Sequence, residues 1–258
     1  MIRVIAGTDA YRIAIAELPV SARASDDAAG AVVVVGGDRD WCAGARAASR
    51  AGAAAVVVSR PARVDADAVR ALLADVGELP VLIERPWLRP DAIADVLAGR
   101  RVDGDAEPPS LVAVDCVASA SAFDPVLRDA VGWLRVLSGG PPNLRATSEG
   151  LAHFDALQPD SAPAVLTAVR VLDGGDRLHV HALGALRSEV DASEAGAAVS
   201  TTTARGRVVA PERRESHERL TLRRAIERVG TGAPTTDLAE LAADARLAAE
   251  VARGIRRS

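Results

Sequence analysis

Short apolar runs at positions 3–6, 31–35, 54–58 and 80–83 alternate with stretches at 9–18, 41–50 and 65–76 whose apolar residues recur at helical spacing. Parallel strands need a crossover of a dozen or more residues, which a helix supplies, so this alternation predicts α/β structure with a parallel sheet. Asp65 stands where an N-cap belongs, ahead of apolar residues that fall on one helical face. The run VVVSRP, positions 56–61, stops a buried-strand pattern abruptly at Ser59-Arg60-Pro61. That junction is the first place to look for a site.

From about residue 105 the pattern changes. Glu107-Pro108-Pro109 reads as a linker, followed by a strand at 111–117, an amphipathic helix at 124–137 and a stop at Gly139-Gly140-Pro141-Pro142. Strand-like runs at 143–148, 164–172, 177–183, 186–192 and 207–209 then follow without intervening helices. The turns at Asp173-Gly174-Gly175-Asp176 and Glu194-Ala195-Gly196 suit antiparallel hairpins. Helices at 212–229 and 236–256 close the chain. The expectation is therefore a shortened Rossmann-like parallel-sheet domain at 1–105, and at 106–258 an α+β domain with an open, mainly antiparallel sheet.

Composition removes several function classes. The net charge is −4, and three Trp, two Phe and one Tyr offer little for base stacking, so nucleic-acid binding is not expected. No apolar run has the roughly 18 to 20 residues of a membrane helix, and MIRVIAGTDAYR opens on a strand pattern rather than a leader, which predicts a cytoplasmic protein without a membrane partner. Cys42 and Cys116 match no metal or redox spacing and read as semi-buried thiols. All 31 basic residues are Arg, so every chemistry that needs an amine side chain is absent.

In their order along the chain, these segments resemble the glucose–fructose oxidoreductase, inositol dehydrogenase and MocA family of NAD(P)-dependent sugar and cyclitol oxidoreductases. VVGGDRDWCAGARAASRAGAAAVVVSRP, positions 34–61, resembles without gaps the family segment that ends in Glu-Lys-Pro. LPVLIERPWLRPDAIADV resembles the strand and helix start that follow, DPVLRDAVGWLRVLSGG the helix that carries an Asp and a His, and the last 28 or so residues the closing helix. A second register would place Glu-Lys-Pro at Glu84-Arg85-Pro86. The first is preferred because its length from the preceding strand fits, and because the second would use up the strand at 80–83.

The resemblance implies that the Lys of Glu-Lys-Pro and the His four residues after an Asp share the proton transfer. Here those positions are Arg60, Asp124 and Arg128, and a slip of one residue would substitute Asp129 for Arg128. Arginine stays protonated, so it can hold an anion or an oxygen but cannot act as a base near neutrality. The plainer readings are an Arg60 guanidinium in solvent or on a nearby carboxylate, and Asp124 as a helix N-cap.

A dinucleotide fingerprint needs Gly-x-Gly-x-x-Gly after the first strand and an acidic residue about 20 positions on. Ala6-Gly7-Thr8-Asp9-Ala10-Tyr11 has one glycine, with Tyr11 expected where the backbone would approach a pyrophosphate. Asp26 and Asp27 lie at the ribose distance, yet only Ala28 to Gly30 separate them from the strand at 31, so the usual second strand, its helix and a third strand cannot all fit. Asp26-Asp27 is read as a loop. Gly7 together with Gly36-Gly37, which follows the strand at 31–35, is what remains of a cofactor crevice, although a turn explains the pair of glycines equally well.

The function expected is a non-catalytic partner or regulatory subunit with no cofactor, forming a homo-oligomer or a hetero-oligomer with an active paralogue through an apolar open sheet face. The alternative is an active sugar or polyol oxidoreductase with an altered NAD(P) mode or a composite site. A module holding a small sugar-like ligand near Gly36, Gly37 and Arg60 is the third option. His179 and His181, two apart on a strand, could share a metal but lack an evident third ligand. His153 and His217 are expected on the surface, and Trp41, Trp87 and Trp133 in a core or an interface.

Overall fold

The computed structural model describes residues 1–38, 40–101, 108–155, 161–172 and 174–255. In chain order the first elements are β1 (Ile2–Ile5), α1 (Asp9–Ala16), β2 (Ala22–Ala24), β3 (Val32–Gly36), α2 (Trp41–Arg50), β4 (Ala55–Ser59), α3 (Ala66–Val76), β5 (Val81–Ile83) and α4 (Pro90–Gly99). They are followed by β6 (Leu111–Ser119), α5 (Phe123–Leu137), β7 (Asn143–Ser148), β8 (Leu151–Asp155), β9 (Ala164–Val171), β10 (Arg177–Leu183), β11 (Arg187–Ser193), β12 (Gly196–Thr203), β13 (Gly206–Val209), α6 (His217–Thr231) and α7 (Asp237–Ile255). None of the described helices is long and apolar enough to cross a membrane.

Two compact units result, residues 1–85 with 215–245 and residues 86–214 with 246–258. The boundary expected at 105/106, with Glu107 of the linker, lies outside the described residues, as does Asp173 of one expected turn. Residues 215–245 join the first unit because α6 packs on α1, β4 and β5. The same packing buries His217, which was expected at the surface.

The first unit holds a parallel sheet in the order β2-β1-β3-β4-β5. Covered on both faces, β4 can be apolar throughout, and its residues divide by strand alternation. Val56 and Val58 join Trp41, Val69, Leu72 and Leu241 on one side; Ala55 and Val57 join Tyr11, Val32, Leu222 and Ala225 on the other. Asp65 caps α3 as expected, accepting the backbone N–H of Asp67 at 2.9 Å and of Ala68 at 3.3 Å. Asp237 at the start of α7 accepts the Ile83 N–H at 2.9 Å and pairs with Arg224, tying both closing helices to β5.

β2 was not expected. Its sequence, Ala-Arg-Ala, is too short and polar to register as a strand, but it pairs in parallel with β1 as the sheet edge. The chain then runs from Ala24 directly to Val32. The usual second strand is present, and among the described residues the helix and the third strand are absent, as the spacing required.

The second unit holds a mixed sheet in the order β13-β12-β11-β10-β6-β9-β8-β7, antiparallel except for the β6–β9 pair. β8 and β12 were missed because Gly, Ala, Thr and His dilute their apolar alternation. One face of the sheet packs with α5 around Val112, Val114, Leu166, Val180 and Trp133, whose indole N–H donates to the Trp87 carbonyl at 2.7 Å. Cys116 is in this core, and burial, with Asp176 and Asp129 nearby, pushes its thiol up to about 12. Cys42 is half-buried and also raised by burial.

The opposite face differs from expectation in its chemistry. Instead of a continuous apolar surface, strand register lines up Asp115, His179 and Asp191. His179 pairs with Asp191, and Glu189 receives Arg187 and Arg207 beside His181. Among the described residues no group of three or more His, Cys, Asp or Glu could hold a metal.

Candidate functional site

The carboxyl ends of β4 and β5 lie side by side, which brings Ser59 and Arg60 next to Glu84. Glu84 is 1% exposed. Its Oε1 accepts Arg60 Nε at 2.7 Å, and its Oε2 accepts the Ser59 hydroxyl at 2.9 Å and the Tyr11 hydroxyl at 2.8 Å. Such a carboxylate is tolerable in the interior because its oxygens are met by a cation and by hydroxyl donors. Glu218 of α6 accepts Arg60 Nη2 at 3.1 Å, so the guanidinium bridges two carboxylates of its own unit.

Arg60 has a φ of 46°, a left-handed conformation that is unfavourable for a residue with a Cβ. The neighbouring chain shows what holds it there. A Cβ on Gly37 would lie 2.1 Å from the Ser59 carbonyl oxygen and 2.5 Å from the Arg60 carbonyl carbon, and the Ala62 N–H donates to the Gly37 carbonyl at 3.1 Å. Gly37 is therefore a close-approach residue that lets the β3 loop clasp the β4 elbow. Gly36, by contrast, faces open space.

Tyr11 is not at a pyrophosphate position. It is fully buried on the inner face of α1 because the helix starts at Asp9, which turns position 11 to the sheet. Burial first, then the Glu84 charge, raises its phenol well above the ordinary value of 10.0. Gly7 is also used internally, since a Cβ there would meet the Val34 carbonyl oxygen at 2.6 Å. Asp27 accepts the Ala29 N–H at 3.1 Å and pairs with Arg3 of β1 at 2.7 Å, contacts that in this order hold its carboxyl below the usual range. Asp26 stands exposed beyond the end of β2.

Of the sequence candidates, Arg60, Gly7, Gly36 and Gly37 belong to the first unit and Asp124 and Arg128 to the second. Asp124 does not cap its helix: Ala122 holds the N-cap position and Asp124 lies exposed in the first turn of α5. Arg128 is 3% exposed, with Nε 3.4 Å from the carboxylate of the equally buried Asp129. Glu84 and Arg85, which the second register assigned to the motif, have structural partners instead, with Arg85 bonded to the buried Asp244 at 2.7 Å. Glu84, Tyr11 and Glu218 were not singled out from sequence as site residues. The available signal was an acidic residue directly after the apolar run Val-Leu-Ile.

The residues present do not fit NAD(P) in the usual Rossmann mode. The first turn has the single glycine Gly7, and among the described residues no helix or further strand stands between β2 and β3 to wall an adenosine pocket.

The fold is that of solved oxidoreductases. UDP-N-acetylglucosamine 3-dehydrogenase GnnA from Acidithiobacillus ferrooxidans matches with a TM-score of 0.69 at 13% identity, covering 99% of this chain and 97% of that one. The 3-ketoreductase KijD10 from Actinomadura kijaniata, in complex with TDP-benzene and NADP, matches with a TM-score of 0.65 at 16% identity, covering 98% and 97%. Aldose–aldose oxidoreductase from Caulobacter crescentus matches with a TM-score of 0.61 at 16% identity, covering 88% and 77%. No protein-family profile and no curated protein matches the chain. At these identities the likeness establishes the fold: a Rossmann-like parallel-sheet unit and a mainly antiparallel-sheet unit, as in oxidoreductases of the type the sequence resembles.

Proposed function

We propose that this chain is an oxidoreductase homologue that has given up dinucleotide binding and hydride transfer and serves as a non-catalytic partner or regulatory subunit. The observation that carries this reading is the passage from β2 straight into β3, which removes the helix and strand that would hold the adenosine half of NAD(P). Two further observations support it. The position of the motif Lys is an arginine bonded to Glu84 and Glu218, and the position of the motif His is a second, buried arginine. Neither can accept a proton near neutrality. Tyr11 is buried and its phenol strongly disfavours ionisation, so it supplies no base either.

The partner contact falls to the face of the second unit's sheet that carries Asp115, His179 and Asp191. An interface there pairs charges with a second copy or a paralogue, and its strength falls as salt rises. One observation favours the other reading, an active enzyme with an altered cofactor mode: Asp26 is exposed past the end of β2, where the fold presents a ribose-binding carboxylate.

A turnover assay decides between them. Incubating the full chain with NAD⁺ or NADP⁺ and a panel of polyols, aldoses and a UDP-sugar is expected to give no reduced nicotinamide above the protein-free rate. Sustained turnover on any member of the panel contradicts the proposal.

A further inference from the structure

The two edges of the second unit's sheet are built differently. An edge strand presents unpaired backbone groups, which proteins blunt with proline, charge or a bulge. β7, at one edge, follows Pro141-Pro142, reads Asn-Leu-Arg-Ala-Thr-Ser, and shifts register against β8 between Leu144 and Ala146. β13, at the other, pairs with β12 without a shift, and among the described residues no strand pairs with its outer side. It contains no proline, and its one charged side chain, Arg207, folds back onto Glu189 at 3.2 Å and Ser200 at 3.0 Å.

The parity of the ladder shows which backbone groups point outward. The Ala210 N–H donates to the Val199 carbonyl at 2.9 Å, so by alternation Ala210 and Val208 bond to β12, while the N–H and carbonyl of Arg207 and of Val209 face away from the sheet. Val208 and Val209 point to opposite faces and are 60% and 64% exposed. This edge therefore offers four backbone groups and one bare valine on each face. It ends at Pro211, which has no N–H to continue the ladder.

We propose that β13 pairs antiparallel with β13 of a second copy about a two-fold axis at Val208, joining two eight-stranded sheets into one. The outward groups of Arg207 then bond to those of the partner's Val209, and the reverse, which gives four N–H to carbonyl bonds. Val208 meets the partner's Val208 in a non-hydrogen-bonded pair, where side chains lie closest. Parity allows two neighbouring registers, and the sequence disfavours both: one sets Arg207 against Arg207, and the other spends the outward groups of Arg207 on Pro211. In the chosen register Arg207 faces valine and arrives already matched by its own Glu189. The contact lies at the sheet edge, apart from the charged face assigned above to a partner, and does not depend on whether the chain is an enzyme.

Sedimentation of the 258-residue chain at about 100 μM, in about 0.5 M sodium chloride to screen contacts between exposed charges, tests it. The expected species is a dimer. Val209→Pro, tolerated at an edge position whose N–H points outward, should weaken it by at least about tenfold and leave the circular dichroism spectrum unchanged. Mild oxidation then tests the register. The α-carbons of the two Val208 positions stand about 4.5 Å apart, within the roughly 4.4 to 6.8 Å that a disulfide needs, whereas the two Val209 positions lie diagonal at about 7 to 8 Å. Val208→Cys should therefore cross-link at least about tenfold faster than Val209→Cys, although the two sites are nearly equally exposed and both variants keep Cys42 and Cys116. A monomeric parent chain, a dimer that Val209→Pro leaves intact, or equal cross-linking at the two positions overturns the proposal.

Discussion

Replacing Glu84 with Ala is expected to destabilise the first unit by about 3 kcal/mol, measured by urea unfolding. The substitution takes from the buried Tyr11 hydroxyl its acceptor at 2.8 Å, leaving it only the Thr221 side chain, and removes the carboxylate that Arg60 Nε faces at 2.7 Å. A buried hydroxyl left with no partner costs about 1 to 3 kcal/mol, and the remaining Thr221 contact puts Tyr11 at the lower end of that range. Losing one partner of a fully buried ion pair costs about 3 to 5 kcal/mol, but Arg60 is 39% exposed and retains Glu218, so water and that second carboxylate absorb part of the loss. Glu84→Gln keeps acceptor capacity for the hydroxyls and should fall between wild type and Glu84→Ala. A loss below about 1 kcal/mol for Glu84→Ala would show that the cluster is peripheral to stability.

Gly37→Ala should cost a similar amount, about 3 kcal/mol, while Gly36→Ala one position earlier stays within about 1 kcal/mol of wild type. The contrast follows from what each new methyl would meet. At Gly37 it collides with backbone atoms of Ser59 and Arg60 at 2.1 and 2.5 Å, which cannot move aside as a flexible side chain would; at Gly36 nothing lies within 4 Å. Equal effects at the two positions would mean that the clasp around the left-handed Arg60 is not rigid. The pair also separates structure from binding, because a ligand crevice, unlike a chain contact, would make Gly36 the sensitive position in a binding assay and leave both neutral for stability.

Much of the fold could be read from the sequence because its strong signals are local. β4, buried on both faces, is a continuous apolar run, and α3 carries its own cap in Asp65. The spacing between Asp27 and the strand at 31–35 limits what can be built there whatever the letters, and the structure agrees. β2, β8 and β12 were lost for the opposite reason. β2 is three residues of Ala and Arg whose pairing comes from β1, and β12 owes its place to the strands beside it.

The candidate site divides in the same way. Arg60 was visible as the residue at a motif position, and one of its plain readings, a guanidinium on a nearby carboxylate, is what the structure contains. Its partners were not visible, because Glu84, Tyr11 and Glu218 come together only through the lateral order of β4 and β5 and the docking of α6. Tyr11 was misplaced because a letter-by-letter fingerprint ignores where the helix begins, and Asp124 because a capping residue must precede the first helical residue rather than follow it.

The shortened parallel sheet is expected to hold no dinucleotide. Direct titration of NADH and NADPH against the 258-residue chain, by calorimetry or nicotinamide fluorescence, tests this with no assumption about substrate. No saturable binding of either cofactor is expected up to about 1 mM, the limit at which binding free energy falls to roughly 4 kcal/mol. Saturable micromolar binding, weakened when Asp26 is replaced by Ala, would contradict it and make the exposed carboxylate beyond β2 the ribose contact of a working site.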